Sequence, residues 1–399
     1  EEDSPMNKRQ LLLSVMAPLL APMIFASNSP LSELIGSRGA LAASQPAMPA
    51  PPKAPKDSLK GKRLCIASPV TIDQLTLFYA DMQKAAKQSE NGLEITVADA
   101  KGDFEKQLAQ VEEYVASGNC DAVFYLTVVT KESAQAWGNV AQKAKDAKIC
   151  MVNHSADWVD NVTMNMSNPH YPAGSMVGEA AATWYKKNGH GGSVGLLENP
   201  TSPGLMDRVK GFQETFQKLV GGDVKFYKAA VNNTAESGAQ QAANLLQAHP
   251  DMTVMFSWGG DATTGGLQAA SEAGKTDPNT FFFGSVDATA DQVSMMDRRS
   301  GVLQALAWFP FRVSAVVAER AIERCLLGQR IPPTTYVQPL LLTPENGKKI
   351  WDALDDQLVP AQAHYFDELQ VFFNKPVKTN DPFPDAKDGF VWDGARLAP

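Results

Sequence analysis

At 399 residues the chain is too long for one ordinary domain, and usual domain sizes predict two domains with additional segments. Its 36 basic and 44 acidic residues give a net charge of −8 without long runs of one sign, which argues against the basic face that nucleic acid requires. We therefore expect no nucleic-acid partner, and a small neutral or polar ligand instead.

The N-terminal region has the order of a secretory signal rather than of a folded element. Basic residues precede the apolar run 11–25, and small residues follow it. This run is short for a membrane span, which needs about 20 residues, although a permanent N-terminal anchor stays open as the alternative. We predict a signal peptide over 1–43, with a short extension before Met6, and a Pro/Ala-rich linker over 44–60.

Apolar runs and amphipathic stretches alternate after the linker. The first group predicts buried strands at 63–68, 93–99, 121–126 and 148–153, with helices between them at 77–90, 104–118 and 133–147. The pattern then restarts, with strands at 192–199, 224–230, 253–258 and 280–287 and helices near 203–220, 235–248, 262–274 and 290–298. Such alternation is typical of parallel sheets flanked by helices, so the predicted fold class is α/β with two Rossmann-like lobes.

Ligands of open α/β sheets bind beyond the carboxyl ends of the strands. Polar residues stand there in both predicted lobes, among them Asp73, Asn153, His154 and Asp287. If the strand ends of the two lobes face each other, they form a cleft that closes by hinge rotation.

Arg208 and three tryptophans are further candidates for this cleft. Arg208 lies near the start of the helix predicted from Pro203, where its planar fork could bind vicinal hydroxyls or a carboxylate; pairing with a surface acid is an equally open alternative. Trp158, Trp258 and Trp308 follow strand ends, where indole rings can stack on a sugar or an aromatic ligand. A place in the core stays open for each ring, but we expect at least one in the cleft.

Three stretches resemble motifs for phosphate binding, catalysis or metal binding, but none of them meets the requirements of its motif. The glycine-rich stretch 260–265 has the gap of a phosphate loop, but Gly266 and Leu267 stand where lysine and a hydroxyl residue are needed. The GGSVG motif at 191–195 precedes a strand, whereas a nucleophile elbow follows one. His154 with Asp157 and Asp160 has no metal-site spacing. We therefore predict no enzyme, no metal and no cofactor.

The four cysteines are Cys65, Cys120, Cys150 and Cys325. They lie in or beside apolar strand-like segments or in a helical pattern, so we favour buried thiols over disulfides.

Four segments follow one another in a recognisable order and spacing: RVKGF (208–212), HPDMTVMFSWGGDATTGGLQAASEAGK (249–275), GSVDAT (284–289) and GVLQALAWFP (301–310). They resemble the ribose/galactose type of periplasmic substrate-binding protein, which serves sugar ABC transporters, over about residues 63–345. The resemblance implies the type I periplasmic-binding-protein fold, with two lobes joined by three crossings and the ligand enclosed between them. It also implies a permease of the inner membrane as partner.

The resemblance places the family's cleft arginine at Arg208 and its second-lobe aspartate at Asp287. Other family positions carry different residues here. An Asp-Arg pair falls on Asn153-His154, an Asn-Asp pair on Gly259-Gly260, a glutamine on Trp308, and an aromatic position near Asn233. These differences count against a simple pentose or hexose, and the two glycines leave room for a bulkier ligand or for a neighbouring side chain such as Trp308.

The predicted organisation after the linker is an N-terminal lobe (61–168 and 309–337), a C-terminal lobe (169–308 and 338–350) and a C-terminal extension (351–399). Aromatic residues in the extension indicate a tail that packs on a lobe.

Together these expectations describe a monomeric periplasmic binding protein that encloses a sugar- or polyol-like ligand by hinge closure. Candidate binding residues are Arg208, Asp287, Asn153, His154, Trp308, Asp73, Asn233, Trp258 and Gly259. Two alternatives stay open: a sensor that presents its closed form to a membrane receptor, and a binder of an aromatic or carboxylate metabolite.

Overall fold

The computed structural model describes residues 54–71, 73–127, 133–155, 158–188, 191–200, 203–297, 301–355, 375–377 and 386–392. The predicted signal peptide and the predicted linker up to residue 53 lie outside this part. Residues 54–60, also expected in the linker, fold against the first lobe. Leu59 is buried, and the N–H groups of Asp57 and Leu59 donate to the carbonyls of Glu90 and Asn91.

Strands and helices alternate along the described chain. The first group is β1 (Arg63–Ser68), α1 (Asp73–Ser89), β2 (Glu94–Asp99), α2 (Phe104–Ser117), β3 (Ala122–Thr127), α3 (Ala134–Asp146), β4 (Cys150–Ser155) and β5 (Met164–Ser167). The second is α4 (His170–Asn188), β6 (Val194–Glu198), α5 (Pro203–Val220), β7 (Phe226–Ala230), α6 (Ala235–Ala248), β8 (Val254–Ser257), α7 (Asp261–Glu272), β9 (Phe282–Val286), α8 (Ala290–Asp297) and β10 (Leu303–Trp308). The last is α9 (Phe311–Leu326), β11 (Thr334–Val337), β12 (Leu340–Leu342), α10 (Gly347–Asp355), β13 (Lys375–Val377) and β14 (Ala386–Trp392).

The strands form two sheets, one in each lobe. The first has the order β13-β14-β11-β5-β4-β3-β1-β2 and the second the order β12-β10-β9-β8-β6-β7. Pairing is parallel throughout except for β13 with β14 and β10 with β12. The prediction of two α/β lobes is confirmed, and β5 and β10–β14 are strands that the sequence pattern did not predict.

The chain passes between the lobes four times in the described elements, not three times as the resemblance implied. The first three passages follow β5, β10 and β11, since the next element in each case belongs to the other lobe. Helix α10 packs on α8 of the second lobe, and β14 then pairs with β11 of the first. The expected C-terminal extension therefore contributes two strands to the first sheet, and the boundary expected at 350/351 falls inside α10.

Each lobe has its own core, built from the apolar faces of its strands and helices. In the first lobe Tyr125 of β3 stacks on Trp137 of α3, with ring centroids 4.4 Å apart. In the second lobe Phe212 of α5 stacks on Phe256 of β8 at 4.3 Å. Among the described residues, no helix is long and apolar enough to cross a membrane.

The cysteines form two disulfides, Cys65–Cys120 and Cys150–Cys325. The expectation of buried thiols is therefore wrong. The first bond links β1 to Cys120, two residues before β3, the strand that pairs with β1, and the second links β4 to α9. Chain folding brings together cysteines 55 and 175 residues apart, a proximity that the sequence pattern could not show.

Candidate functional site

A cavity of about 720 Å³ opens between the lobes at the carboxyl ends of their strands. From the first lobe its lining includes residues at the ends of β3 and β4, such as Thr127 and His154. From the second it includes residues that follow or end β8, β9 and β10, namely Trp258, Asp287 and Trp308. This is where open α/β sheets bind their ligands.

Arg208 is buried at the base of this cavity, with 4% of its surface exposed. Its position on α5 depends on Gly174 of α4, because a Cβ at residue 174 would collide with the Arg208 carbonyl oxygen. The guanidinium donates from Nε to Nδ1 of His170 (2.9 Å), and from Nη1 to the Trp258 carbonyl (3.0 Å) and to Oδ2 of Asp287 (2.7 Å). Its other terminal nitrogen, Nη2, has no hydrogen-bond partner among the described residues.

Asp287 follows β9 and turns its carboxylate toward Arg208. Its φ of 66° is unusual for a residue other than glycine. The backbone N–H donates to the carbonyl of Ala307, which fixes the residue against β10. Oδ2 is held by Arg208, but Oδ1 is buried and has no partner within the described chain. A buried acceptor without a partner is costly, so a hydroxyl or amine donor from a ligand would stabilise this arrangement.

Gly259 and Gly260 make room for protein side chains at this point. A Cβ at Gly259 would lie 2.8 Å from Nη1 of Arg208 and 2.9 Å from Oδ2 of Asp287. A Cβ at Gly260 would collide with the side chain of Asn233, which accepts from the N–H of Asp261 at 3.1 Å. Of the two expected occupants, a bulkier ligand or a neighbouring side chain, the space holds neighbouring side chains, but these are Arg208, Asp287 and Asn233 rather than Trp308. Gly259 does not line the cavity, whereas Asn233 does.

The two first-lobe candidates at the end of β4 differ in position. His154 lines the cavity and stacks on Phe78 of α1, with ring centroids 5.6 Å apart. Burial lowers the pKa of His154 to about 4, against the opposing effect of the Asn168 side chain, so the ring is neutral at pH 7. Asn153 is fully buried, is not part of the lining, and donates to Oδ1 of Asn165 at 2.8 Å.

His170 is a cavity residue that the sequence did not predict. It begins α4, directly behind Arg208, and its Nδ1 accepts the Arg208 Nε–H. Burial and the adjacent Arg208 guanidinium hold the pKa of His170 well below its ordinary value of 6.5. The ring is therefore neutral and acts as an acceptor that orients the arginine. The strand before it, β5, has the polar sequence MNMS, too short and polar to reveal a strand end.

The tryptophans divide between the cavity and its surroundings. Trp258 and Trp308 line the cavity, and Trp308 packs on Trp351 of α10 with ring centroids 4.8 Å apart. Nε1 of Trp258 is buried without a partner among the described residues, and the Arg208 guanidinium carbon lies 5.8 Å from the Trp258 ring. Trp158 is outside the lining, and its Nε1 donates to Asp160.

The remaining candidates from the sequence are Asp73, the GGSVG motif and a metal site, and the described residues place none of these three in the cavity. Asp73 begins α1, and its side chain lies outside the described part of the structure. Ser193 of the GGSVG motif precedes β6, at the amino end of that strand, whereas the cavity lies at carboxyl ends. No group of three histidine, cysteine, aspartate or glutamate side chains in the described residues is placed to hold a metal ion.

The structure thus brings six of the nine predicted residues to one cavity: Arg208, Asp287, His154, Trp308, Asn233 and Trp258. Chemically, the cavity offers a free guanidinium nitrogen beside a free carboxylate oxygen, with indole rings next to them. A guanidinium and a carboxylate together donate to and accept from neighbouring hydroxyls. Binding by these residues stays a prediction.

Comparison with known proteins agrees with this geometry. A family model described as "Periplasmic binding protein domain" matches residues 68–327. The ribose import binding protein of Bacillus subtilis (strain 168) is 26% identical over 289 residues, which cover 71% of this chain and 89% of that protein. The ribose import binding protein of Escherichia coli (strain K12) is 24% identical over 264 residues, covering 64% of this chain and 82% of that protein.

Solved structures show the same fold. An ABC transporter periplasmic solute-binding protein from Actinobacillus succinogenes 130z with bound D-allose superposes with a TM-score of 0.63 at 17% identity, covering 72% of this chain and 99% of that one. A protein from Mycobacterium smegmatis in complex with β-D-fucofuranose gives a TM-score of 0.63 at 20% identity, covering 77% of this chain and 98% of that one.

Proposed function

The chain belongs to the periplasmic binding protein domain family, and from that premise we propose that it is the solute-binding protein of an ABC importer. It binds one sugar- or polyol-like molecule between its lobes and delivers it to a permease of the inner membrane. Its curated relatives are ribose import binding proteins. The protein makes or breaks no bond in this role, and its binding groups act only by recognition and closure.

The observation that carries this proposal is the pair of free polar atoms at the base of the cavity. Nη2 of Arg208 and Oδ1 of Asp287 belong to side chains joined by a 2.7 Å hydrogen bond. Two adjacent hydroxyls of a sugar or polyol would satisfy both atoms at once, one as acceptor and one as donor. A ligand that lacks a hydroxyl would leave Oδ1 buried and unsatisfied, which is how buried polar groups select their ligands.

We assign His154 and Asn233 to the edge of this polar site and Trp258 to a stacking face beside it. Asn153 acts behind the cavity, since its amide holds Asn165. Gly259 acts by leaving space for the Arg208–Asp287 pair.

Two features support export to the periplasm. The four cysteines are paired in disulfides, which persist in oxidising compartments and are rare in the cytosol. The sequence before residue 44 has the order of a secretory signal. A fusion of residues 1–60 to alkaline phosphatase, which is active only after export, tests this point, and an inactive fusion would contradict it.

A thermal-shift screen of sugars, polyols, short carboxylates and aromatic metabolites tests the proposed ligand class. A ligand at 100 times its dissociation constant stabilises by about 2.7 kcal/mol, which raises Tm by roughly 3–5 °C in a protein of this size. We expect shifts with sugars or polyols and none with carboxylates. The shift is lost in Arg208→Ala and strongly reduced in Arg208→Lys, which retains the charge without the planar fork.

Stabilisation by carboxylates alone, or an unchanged shift in both arginine variants, would contradict the proposal. Arg63→Ala is the matched control, because Arg63 is an exposed residue on the first lobe, outside the cavity, and its loss removes the same charge.

A further inference from the structure

Besides the buried Phe78, Trp258 and Trp308, five large apolar side chains line the cavity, and each of the five keeps part of its surface exposed. We call them the apolar wall: Leu77, Leu126, Leu205, Phe311 and Trp351. Leu77 is 54% exposed, and the other four are half-buried. Exposed apolar surface gathered in a concave site is characteristic of ligand binding, because such surface is otherwise placed in the core.

The apolar wall comes from both lobes. Leu77, Leu126 and Phe311 belong to α1, β3 and α9 of the first lobe, whereas Leu205 and Trp351 belong to α5 and α10 of the second. The Trp351 ring is held in place by packing on Trp308. A ligand group on this surface would therefore be enclosed from both sides when the lobes close.

The charges around the cavity argue against a negatively charged group on this part of the ligand. Both lining arginines are already neutralised: Arg208 pairs with Asp287 at 2.7 Å, and Arg312 pairs with Asp81 at 2.6 Å. Asp261 and Asp291 are exposed in the lining and form no ion pair within the described residues. Among the described lining residues, no arginine or lysine is therefore left without a counter-ion to bind a phosphate or carboxylate, and the two aspartates repel further negative charge.

We propose that the ligand is a glycoside, with a sugar or polyol part on Arg208 and Asp287 and an uncharged apolar or aromatic part on the apolar wall. This inference rests on the proposed function and adds the second part of the ligand to it. The cavity of about 720 Å³ lies within the range of about 300–1,000 Å³ that is typical of pockets for larger organic ligands, so both parts fit.

Isothermal titration calorimetry with matched probes tests the inference. The probes are D-ribose, D-allose and D-galactose as free sugars, and the phenyl glycosides of the same three sugars in both anomeric forms. We expect at least one phenyl glycoside to bind about tenfold or more tightly than its free sugar, because the phenyl ring leaves water on binding.

Trp351→Ala then shows where the phenyl group lies. We expect this variant to lose the tenfold preference while its affinity for the free sugar changes less than twofold. Leu205→Ala, on a different helix, is the second variant if Trp351→Ala does not fold. Trp184→Ala is the control, since Trp184 is half-buried in the same lobe but lies outside the cavity, and we expect it to retain the preference.

The outcomes distinguish a failure of the glycoside inference from a failure of the proposed function. If free sugars bind as tightly as their phenyl glycosides, the inference is wrong and the proposed function stands. If Trp351→Ala weakens both probes equally, the apolar wall serves lobe closure alone and the inference is again wrong. If none of these probes binds, the inference is wrong, and if the thermal-shift screen also finds no sugar or polyol that stabilises the protein, the proposed function fails with it.

Discussion

Replacing Gly259 with alanine places a methyl group against the Arg208–Asp287 pair. The new Cβ would lie 2.8 Å from Nη1 of Arg208, 2.9 Å from Oδ2 of Asp287 and 2.9 Å from the carbonyl oxygen of Val286. Favourable contacts of carbon with its neighbours begin at about 3.5 Å. The two side chains must therefore retreat by roughly half an ångström or more, which disturbs their 2.7 Å hydrogen bond.

Two costs follow from this displacement. A charge-assisted hydrogen bond contributes about 1.5–3 kcal/mol, and its loss corresponds to roughly a 10- to 150-fold weaker Kd for a ligand that depends on the pair. Gly259 also has a φ of 146°, which costs alanine about 1–3 kcal/mol of folding free energy. We expect Gly259→Ala to lower both stability and affinity, with Tm measured by calorimetry and Kd by titration with the best ligand of the screen.

Gly274→Ala separates these two costs. Gly274 has a positive φ of 74°, but a Cβ there meets nothing within 4 Å, and the residue follows α7 away from the cavity. We expect this control to lose stability and to bind with wild-type affinity. Wild-type affinity in Gly259→Ala as well would refute the reasoning, because the glycine would then have no role in holding the pair.

Three further predictions concern the disulfides, a buried acid and the orienting histidine. The double variant Cys150→Ala/Cys325→Ala should lose about 3–5 kcal/mol of unfolding free energy in denaturant titrations, and equal stability would contradict a disulfide there. Burial raises the pKa of Glu319 from its ordinary 4.5 to about 8, so the wild type loses stability as pH rises through this range and the buried carboxyl has to ionise. Glu319→Gln does not ionise and should gain stability over wild type across the same range; parallel pH profiles of Tm would refute this. His170→Ala removes the acceptor of the Arg208 Nε–H and should cost about 1–3 kcal/mol in ligand affinity. His170→Asn should restore part of this affinity, because its amide oxygen can accept the same hydrogen bond. Equal affinities in the two variants would argue against an orienting role for His170.

Local sequence patterns determine most of the fold. The alternation of apolar runs with amphipathic stretches predicts β1–β4, β6–β9 and the helices between them, because side-chain burial has a different period in strands and helices. This pattern did not predict strands β5 and β10–β14. His154 and Asp287 are predictable as cavity residues because they stand at the carboxyl ends of predicted strands, where ligands of open α/β sheets bind.

The rest depends on contacts between residues far apart in the chain. Trp351 reaches the cavity because α10 packs on α8, and no periodicity encodes that packing. The sequence showed that Gly259 and Gly260 leave space, but only the structure shows that Arg208 and Asp287 occupy it. For the cysteines, their even number in a chain with a signal-like N-terminus was a usable indication of disulfides.

The most direct test of the central claim is a crystal structure of the protein with a sugar or polyol identified in the thermal-shift screen. We expect the ligand between the lobes, with one hydroxyl accepting from Nη2 of Arg208 and a neighbouring hydroxyl donating to Oδ1 of Asp287, each within about 3.2 Å. A ligand bound elsewhere, or bound in the cavity without contact to either atom, would contradict the account.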